Sequence, residues 1–286
     1  MRRKRRAANF LSGALFLLLG ALVLFPVVYT LTSSLMSPAE VQRYYAAVTH
    51  PAGGAAGARL HILPDLFSLE SFYQVLLRRP DYLVKFWNSL LLCGAIVAGQ
   101  LVVSCMGGFA FAKYRFRGRT VLFYLLIVLM MMPVQVTLVP NYIVLDRLHL
   151  IDTWWALVLP AAFLPFGTFL MTQIFRGVPD EILDAARLDG AGTAQVLTRV
   201  LVPAGKGGAI SLVLLSFIDA WNMVEQPMVF LSDPIRYPLS VFLATVSQQN
   251  FSLSFACGVL AMMPVLLLFL FFNEELVEGI EFSGIK

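Results

Sequence analysis

Side chains able to do chemistry are few in this sequence, and their spacing says more than their number. Three cysteines (Cys93, Cys105, Cys257) and three histidines (His50, His61, His149) are scattered, with no CxxC pair and no spacing that links a cysteine to a histidine as metal ligands. The cysteines fall in apolar stretches, which suits small buried side chains rather than a disulfide framework. A P-loop needs Gly-x-x-x-x-Gly-Lys-Ser/Thr to cradle phosphates with backbone N–H groups. The Gly205-Lys206 pair has Val200 where the first glycine should stand and Gly207 where the hydroxyl should stand. HExxH, GxSxG and paired CxxC motifs do not occur. The expectation is a chain with no catalytic residue and no metal.

Two groups of polar residues remain. One is a cluster of acids, Asp180, Glu181, Asp184 and Asp189. The other is a set of polar residues within otherwise apolar runs: Asn88, Gln100, Gln135, Thr137, Asn141, Gln173, Asp219 and Asn222. Polar groups in such runs are costly and tend to face a bundle interior or a water-filled cavity. Asp219 and Asn222 share a helical face at i, i+3, with Trp221 on a neighbouring one. A carboxylate and an amide beside an aromatic ring suit a sugar, whose hydroxyls need partners and whose C–H face stacks. The same residues also suit an interfacial ring at Trp221, a helix tie at Asn222 and a solvated mouth at Asp219. Asn88, Gln135, Asp219, Trp221 and Asn222 are the candidate substrate-pathway residues.

The elements that must position these groups follow from composition. The chain is 59% hydrophobic and 13% charged, with a mean hydropathy of +0.78. Soluble domains are roughly 45–50% apolar and about 25% charged, and a chain this short cannot bury the excess against itself. A soluble enzyme, a disordered chain and a nucleic-acid-binding module are thereby excluded. Crossing a bilayer takes roughly 20 apolar residues, and six stretches qualify: 10–31, 86–112, 120–144, 154–175, 203–224 and 253–272. The third contains Pro133 and Pro140, which each remove a backbone hydrogen bond and would kink it, shaping a cavity or merely curving the packing.

The basic residues orient these spans. Most of the 21 lysines and arginines fall in the N-terminus (1–9), in Lys113–Arg119, in the loop after the fourth span and in the tail (273–286). By the positive-inside rule, both ends are cytoplasmic. The first apolar run is too long for a cleaved signal peptide and reads as an anchor. Residues 32–85 form the one sizeable extracytoplasmic segment, rich in Pro and Gly with short apolar runs. No internal repeat is visible, which weighs against a secondary transporter built of two related halves.

The cytoplasmic loop 176–202 is better built than a connector needs to be. Pro179 suits a first helical position, and Asp180, Glu181 and Asp184 sit at the positive end of that helix's dipole. Ile182, Ala185, Ala186 and Leu188 give it an apolar side, and Asp189-Gly190 reads as a turn. Val196, Leu197, Val200 and Leu201 form one stripe of a second helix, which Pro203 should end while opening the fifth span. Such a two-helix knob either caps this chain's own helix ends or docks a cytoplasmic partner.

The stretch Val178-Pro179-Asp180-Glu181-Ile182-Leu183-Asp184-Ala185-Ala186-Arg187-Leu188-Asp189-Gly190-Ala191, followed by Pro203, resembles the EAA loop of ATP-binding-cassette (ABC) importer permeases. The match is to the carbohydrate-uptake branch, the maltose and glycerol-3-phosphate type. Met131–Pro140, Asp152–Pro160, Trp221-Asn222 with Pro227 and Ser232-Asp233-Pro234, and Gly279 with the terminal Ser283–Lys286 are similar to further stretches of that branch.

The resemblance implies an all-α polytopic membrane protein of the type I importer permease fold, in a bacterial cytoplasmic membrane. It implies that this chain lines half of a pathway with a second, non-identical permease subunit. It further implies an ATPase subunit dimer docked on the EAA loops, using ATP and Mg that this chain does not bind, and an extracytoplasmic solute-binding protein that delivers a sugar. Glu181, Asp184, Ala185, Ala186, Asp189, Gly190 and Ala191 would form the ATPase-docking turn, with Asp184 standing where the family usually has glutamate. The tail residues Gly284, Ile285 and Lys286 would reach the ATPase interface. The alternatives are a permease for a non-sugar ligand, such as a polyamine or a phosphate ester, and then an ATP-independent transporter.

Overall fold

The structure, a computed structural model, describes residues 2–49, 61–78 and 80–284. His50, the glycine-rich 51–60 stretch and the tail residues Ile285 and Lys286 lie outside them. Among the described residues every regular element is a helix. Apolar runs are helical because a bilayer offers backbone N–H and C=O groups no partner outside their own segment.

The chain opens with α1 (Arg2–Ser34) and α2 (Pro38–Thr49), then α3 (Glu70–Tyr73) with a π turn at Gln74–Arg78. The long α4 (Pro80–Lys113), α5 (Arg119–Met130) and α6 (Val134–Arg147) come next, followed by α7 (Trp155–Ala162) and α8 (Pro165–Arg176). The loop holds α9 (Asp180–Leu188), then α10 (Thr193–Gln195), a π stretch at Val196–Leu201 and α11 (Val202–Ala204). The remainder is α12 (Lys206–Trp221), α13 (Glu225–Phe230), a 3-10 turn at Pro234–Arg236, α14 (Leu239–Gln249) and α15 (Phe251–Gly284).

Among the described residues, four helical segments are long and apolar enough to cross a membrane: Ser12–Ser34, Asp81–Lys113, Trp155–Arg176 and Phe251–Glu274. Two bent pairs bring the total to as many as six: α5 with α6, at 107°, and the Thr193–Ala204 segment with α12, at 84°.

Several boundaries differ from the sequence expectation. The third span is not one kinked helix over 120–144, because Pro133 ends the first piece and takes an extended conformation at the start of α6. Pro140 sits inside α6, so the break falls at one proline and not the other. The fourth span is interrupted before Pro165, whose ring pushes Leu164 out of the helical region. Pro203 does not open the fifth span: the loop's second helix runs through it to Ala204 and turns at Gly205. The π stretch just upstream widens the turn into which the Pro203 ring would otherwise press. The last helix carries on through the expected tail to Gly284, with a kink at Phe272.

Packing divides the chain into two units, residues 1–83 with 243–263 and residues 84–242 with 264–286. In the first, the Ser12–Ser34 span turns large side chains such as Phe16 and Leu17 outward, as lipid contact requires. Its far end is anchored by a cluster of Met36, Val41 and Tyr45 with Tyr29, Phe251 and Phe255 packed against it. Tyr29 and Tyr45 share a hydroxyl contact, and Ser71 and Ser252 pair at 2.6 Å in a buried setting.

In the second unit the core is built on Phe109, Met171, Ile174 and Phe175 with Leu183, Leu201 and Leu212. Here α12 lies close against α8: a Cβ at Gly208 would come within 2.5 Å of the Ile174 side chain, so only glycine permits that approach. Cys93, Cys105 and Cys257 are buried, as their apolar surroundings in the sequence predict.

Candidate functional site

Two features of the second unit carry functional geometry. The first is the loop around α9. Pro179 stands one residue before the helix, extended, so that Asp180 and Glu181 occupy the first turn. Lys113, the last residue of α4, donates to Asp180 Oδ1 at 2.6 Å and to the Val178 carbonyl at 2.5 Å. Its ammonium holds the Asp180 carboxyl below the usual carboxylate range. The first residue of the basic stretch 113–119 is thus a clamp on the loop, in addition to any topological role.

The apolar side that the sequence marks on α9 is largely left exposed. Leu183 is 1% exposed and packs into the core with Val196 and Leu201, while Ile182 and Leu188 point outward at 48% and 89% exposure. Ile182, Ala185 and Leu188 follow one another at i, i+3, i+6, which leaves an apolar strip facing solvent. The reason is the geometry of the loop's second helix, whose buried residues accept Leu183 and not its neighbours.

The strip ends in a Schellman motif. Ala191 N–H donates to Ala186 O and Gly190 N–H to Arg187 O, both at 3.0 Å. Gly190 has φ +87, a left-handed conformation that glycine adopts without penalty. Gly192 N–H then donates to Gln195 Oε1 at 2.9 Å, which starts the second helix. Asp184 is engaged within the loop by Arg187, at 2.9 Å.

The second feature is a cavity of about 330 Å³ whose polar lining comes from Gln100 of α4, Ser216 and Asp219 of α12, Asn222, and Gln226 of α13. An adjoining pocket adds Thr137 and Asn141 of α6. Five of the eight polar residues singled out by sequence therefore line these two adjoining spaces. Gln135 lies apart and donates to both carboxylate oxygens of Glu225 at 3.0 Å, tying α6 to α13. Asn88 donates to the Ile235 carbonyl at 2.7 Å, in the turn after α13.

Trp221 is not among the lining residues. It is 6% exposed, stacks on Phe217 at 5.4 Å and meets Phe86 edge-on at 5.8 Å. Its ring thus packs among aromatic side chains of the same unit and does not line the cavity. Asn222 donates to Ile218 O of its own helix at 2.8 Å.

Ser216 and Gln226 were missed by sequence reasoning. Ser216, Asp219 and Asn222 recur every three residues, a helical spacing that would have found the serine. Gln226 had no such signal, because the turn that carries it into the cavity is a tertiary feature.

A further contact joins two stretches that are distant in sequence. Asp152, at φ 61, accepts the Ser232 and Asp233 N–H groups at 2.9 and 3.2 Å. Its own N–H donates to Phe230 O at 2.8 Å. Those two backbone donors, helped by Arg236, hold its carboxyl below the usual range. The start of α7 and the turn after α13 are fixed to each other in this way.

Apolar spans, a polar cavity walled by three or more of their helices and one folded, apolar-tipped loop define a multi-pass membrane transport component. Residues 104–281 match the model of the family "Binding-protein-dependent transport system inner membrane component". The chain belongs to this family and is an inner-membrane transport permease.

It is 28% identical to the arabinooligosaccharides transport system permease protein AraQ of Bacillus subtilis (strain 168), over 95% of this chain and 93% of that protein. It is 26% identical to the sn-glycerol-3-phosphate transport system permease protein UgpE of Brucella abortus (strain 2308), over 97% and 98%. Its fold matches a chain in the crystal structure of a bacterial ABC transporter that imports the acidic polysaccharide alginate. The TM-score there is 0.80 at 24% identity, covering 95% of this chain and 97% of that one.

Proposed function

We propose that this chain is one of two non-identical permease subunits of an ATP-dependent carbohydrate importer, with both termini cytoplasmic. The α9 loop is then the seat of a separate ATPase dimer, which binds ATP and Mg, and an extracytoplasmic binding protein delivers the solute. The observation that carries this reading is the exposed strip of Ile182, Ala185 and Leu188, ended by the Gly190 turn and braced from behind by Leu183 and Lys113. An apolar strip held rigidly at a loop tip loses little conformational entropy when another protein covers it, so its burial is available as binding free energy. Gly284, Ile285 and Lys286 form a second contact with the ATPase in this reading.

The sn-glycerol-3-phosphate relatives favour a second reading, a phosphate-ester permease. The cavity chemistry speaks for a neutral sugar instead. Its lining has amides, a hydroxyl and the Asp219 carboxylate but no lysine or arginine, and a phosphate would meet a like charge without a counter-ion.

Replacing Leu188 by arginine tests the docking. In a complex purified with its ATPase, Leu188→Arg should leave the permease folded and abolish ATPase co-purification and solute-stimulated hydrolysis. Undiminished hydrolysis in that variant would refute the assignment. The solute is tested by the ligand that the cognate binding protein carries.

A further inference from the structure

We propose that Glu40, His61 and Asp65 form a divalent transition-metal site of the zinc class, on the segment between the first two spans. The inference is independent of the transport reading. Glu40 stands in the first turn of α2, and His61 and Asp65 lie on the stretch that returns toward that helix. One ligand atom from each falls within 4.8 Å of the others.

Three details point to a cation and not to a hydrogen-bonded cluster. First, His61 Nε2 lies 3.5 Å from Glu40 Oε1 and 3.2 Å from Asp65 Oδ1, yet it makes no hydrogen bond to either. Two bonds of about 2.1 Å at the tetrahedral angle set their ligand atoms roughly 3.4 Å apart, so both separations are those of a tetrahedral edge. Second, Glu40 is 5% exposed, and its Oε2 has no hydrogen-bond partner. Ser37 and Glu40 have the spacing of a capping box, in which the glutamate would turn back to the Ser37 N–H. Here Glu40 Oε1 instead accepts the Asp65 N–H at 2.8 Å, which brings the carboxylate to the histidine. A buried carboxylate oxygen without a donor is costly, and a bound cation removes the cost.

Third, the surroundings hold the ligands in place as metal sites require. The Tyr44 ring stacks on the His61 imidazole, with centroids 4.2 Å apart and planes within 9°. The Tyr44 hydroxyl donates to Asp65 Oδ2 at 3.2 Å, leaving Oδ1 for the metal. One imidazole and two carboxylates, with water in the fourth position, suit Zn²⁺ better than Mg²⁺ or Ca²⁺, which take oxygen ligands. Metal bound here would fasten the 61–69 return onto α2 across the residues between them.

The test uses the full-length chain in its assembled complex, carrying an affinity tag without histidines, stripped with a chelator and dialysed against Zn²⁺. Elemental analysis should find about one more equivalent of zinc per chain in the wild type than in His61→Ala or Asp65→Asn, with affinity weakened roughly tenfold or more in each variant. Asp65 is exposed, so Asp65→Asn should keep the fold even where changes at the buried Glu40 do not. Co²⁺ substituted for zinc should give visible absorption bands that disappear in the His61 variant. Equal zinc in wild type and both variants, or none in the wild type, overturns the site.

Discussion

The α9 loop and the cavity beside α12 are assembled in different ways. Thirteen or so consecutive residues build the loop tip: an acidic first turn, one buried leucine and a glycine turn that closes its own hydrogen bonds. The cavity draws its polar lining from α4, α6, α12 and α13, segments more than a hundred residues apart at the extremes. A locally coded element can present a surface with its geometry already fixed. A cavity made of distant pieces depends on every helix that holds it.

The largest effect should come from cutting the loop's one deep anchor. Leu183→Ala should cost roughly 2–5 kcal/mol, as for other buried leucines, with most of the loss confined to 176–204. Hydrogen exchange across that segment reads it. A uniform loss over the whole second unit would mean that loop and core are a single cooperative body. Gly190→Ala comes next. The added methyl meets nothing within 4 Å, so the change isolates the left-handed backbone, at roughly 1–2 kcal/mol. The melting temperature should fall modestly while ATPase coupling drops.

The cavity should respond in the opposite pattern. Asp219→Asn should leave the melting temperature unchanged and raise the uptake KM by about tenfold, the scale of one charged hydrogen bond. An unchanged KM would make this part of the cavity a wall and not a contact. The smallest effect concerns the Asp152 link between α7 and the turn after α13. Its carboxyl titrates lower when folded than the unfolded value of about 3.9. The stability it contributes is therefore present above pH ~4 and lost as pH falls through the folded value. Pepsin should begin to cut within 230–236 below that pH, and Asp152→Asn should be cut there at pH 5 as well.

The sequence made the spans and the loop legible for the same reason. Each is specified by neighbours in the chain: apolar length for the spans, acidic turn and glycine stop for α9. Its failures have physical causes too. Which leucine of α9 is buried could not be read locally, because Leu183 and Leu188 are equally apolar and only the second loop helix chooses between them. Pro133 and Pro140 were equal candidates for a kink, yet one ended a helix and the other stayed inside one. His61 looked isolated because its partners, Glu40 and Asp65, are brought to it by Tyr44 and a backbone N–H.

By itself, then, the sequence determined that this chain crosses a membrane several times and displays one folded loop, since hydropathy and capping act over a few turns. Only the tertiary structure decided which apolar residues of that loop face outward, which polar residues share a cavity and that Trp221 is buried away from it. Those outcomes depend on packing between segments far apart in the chain, and no local spacing encodes which of several equivalent side chains a distant helix will cover.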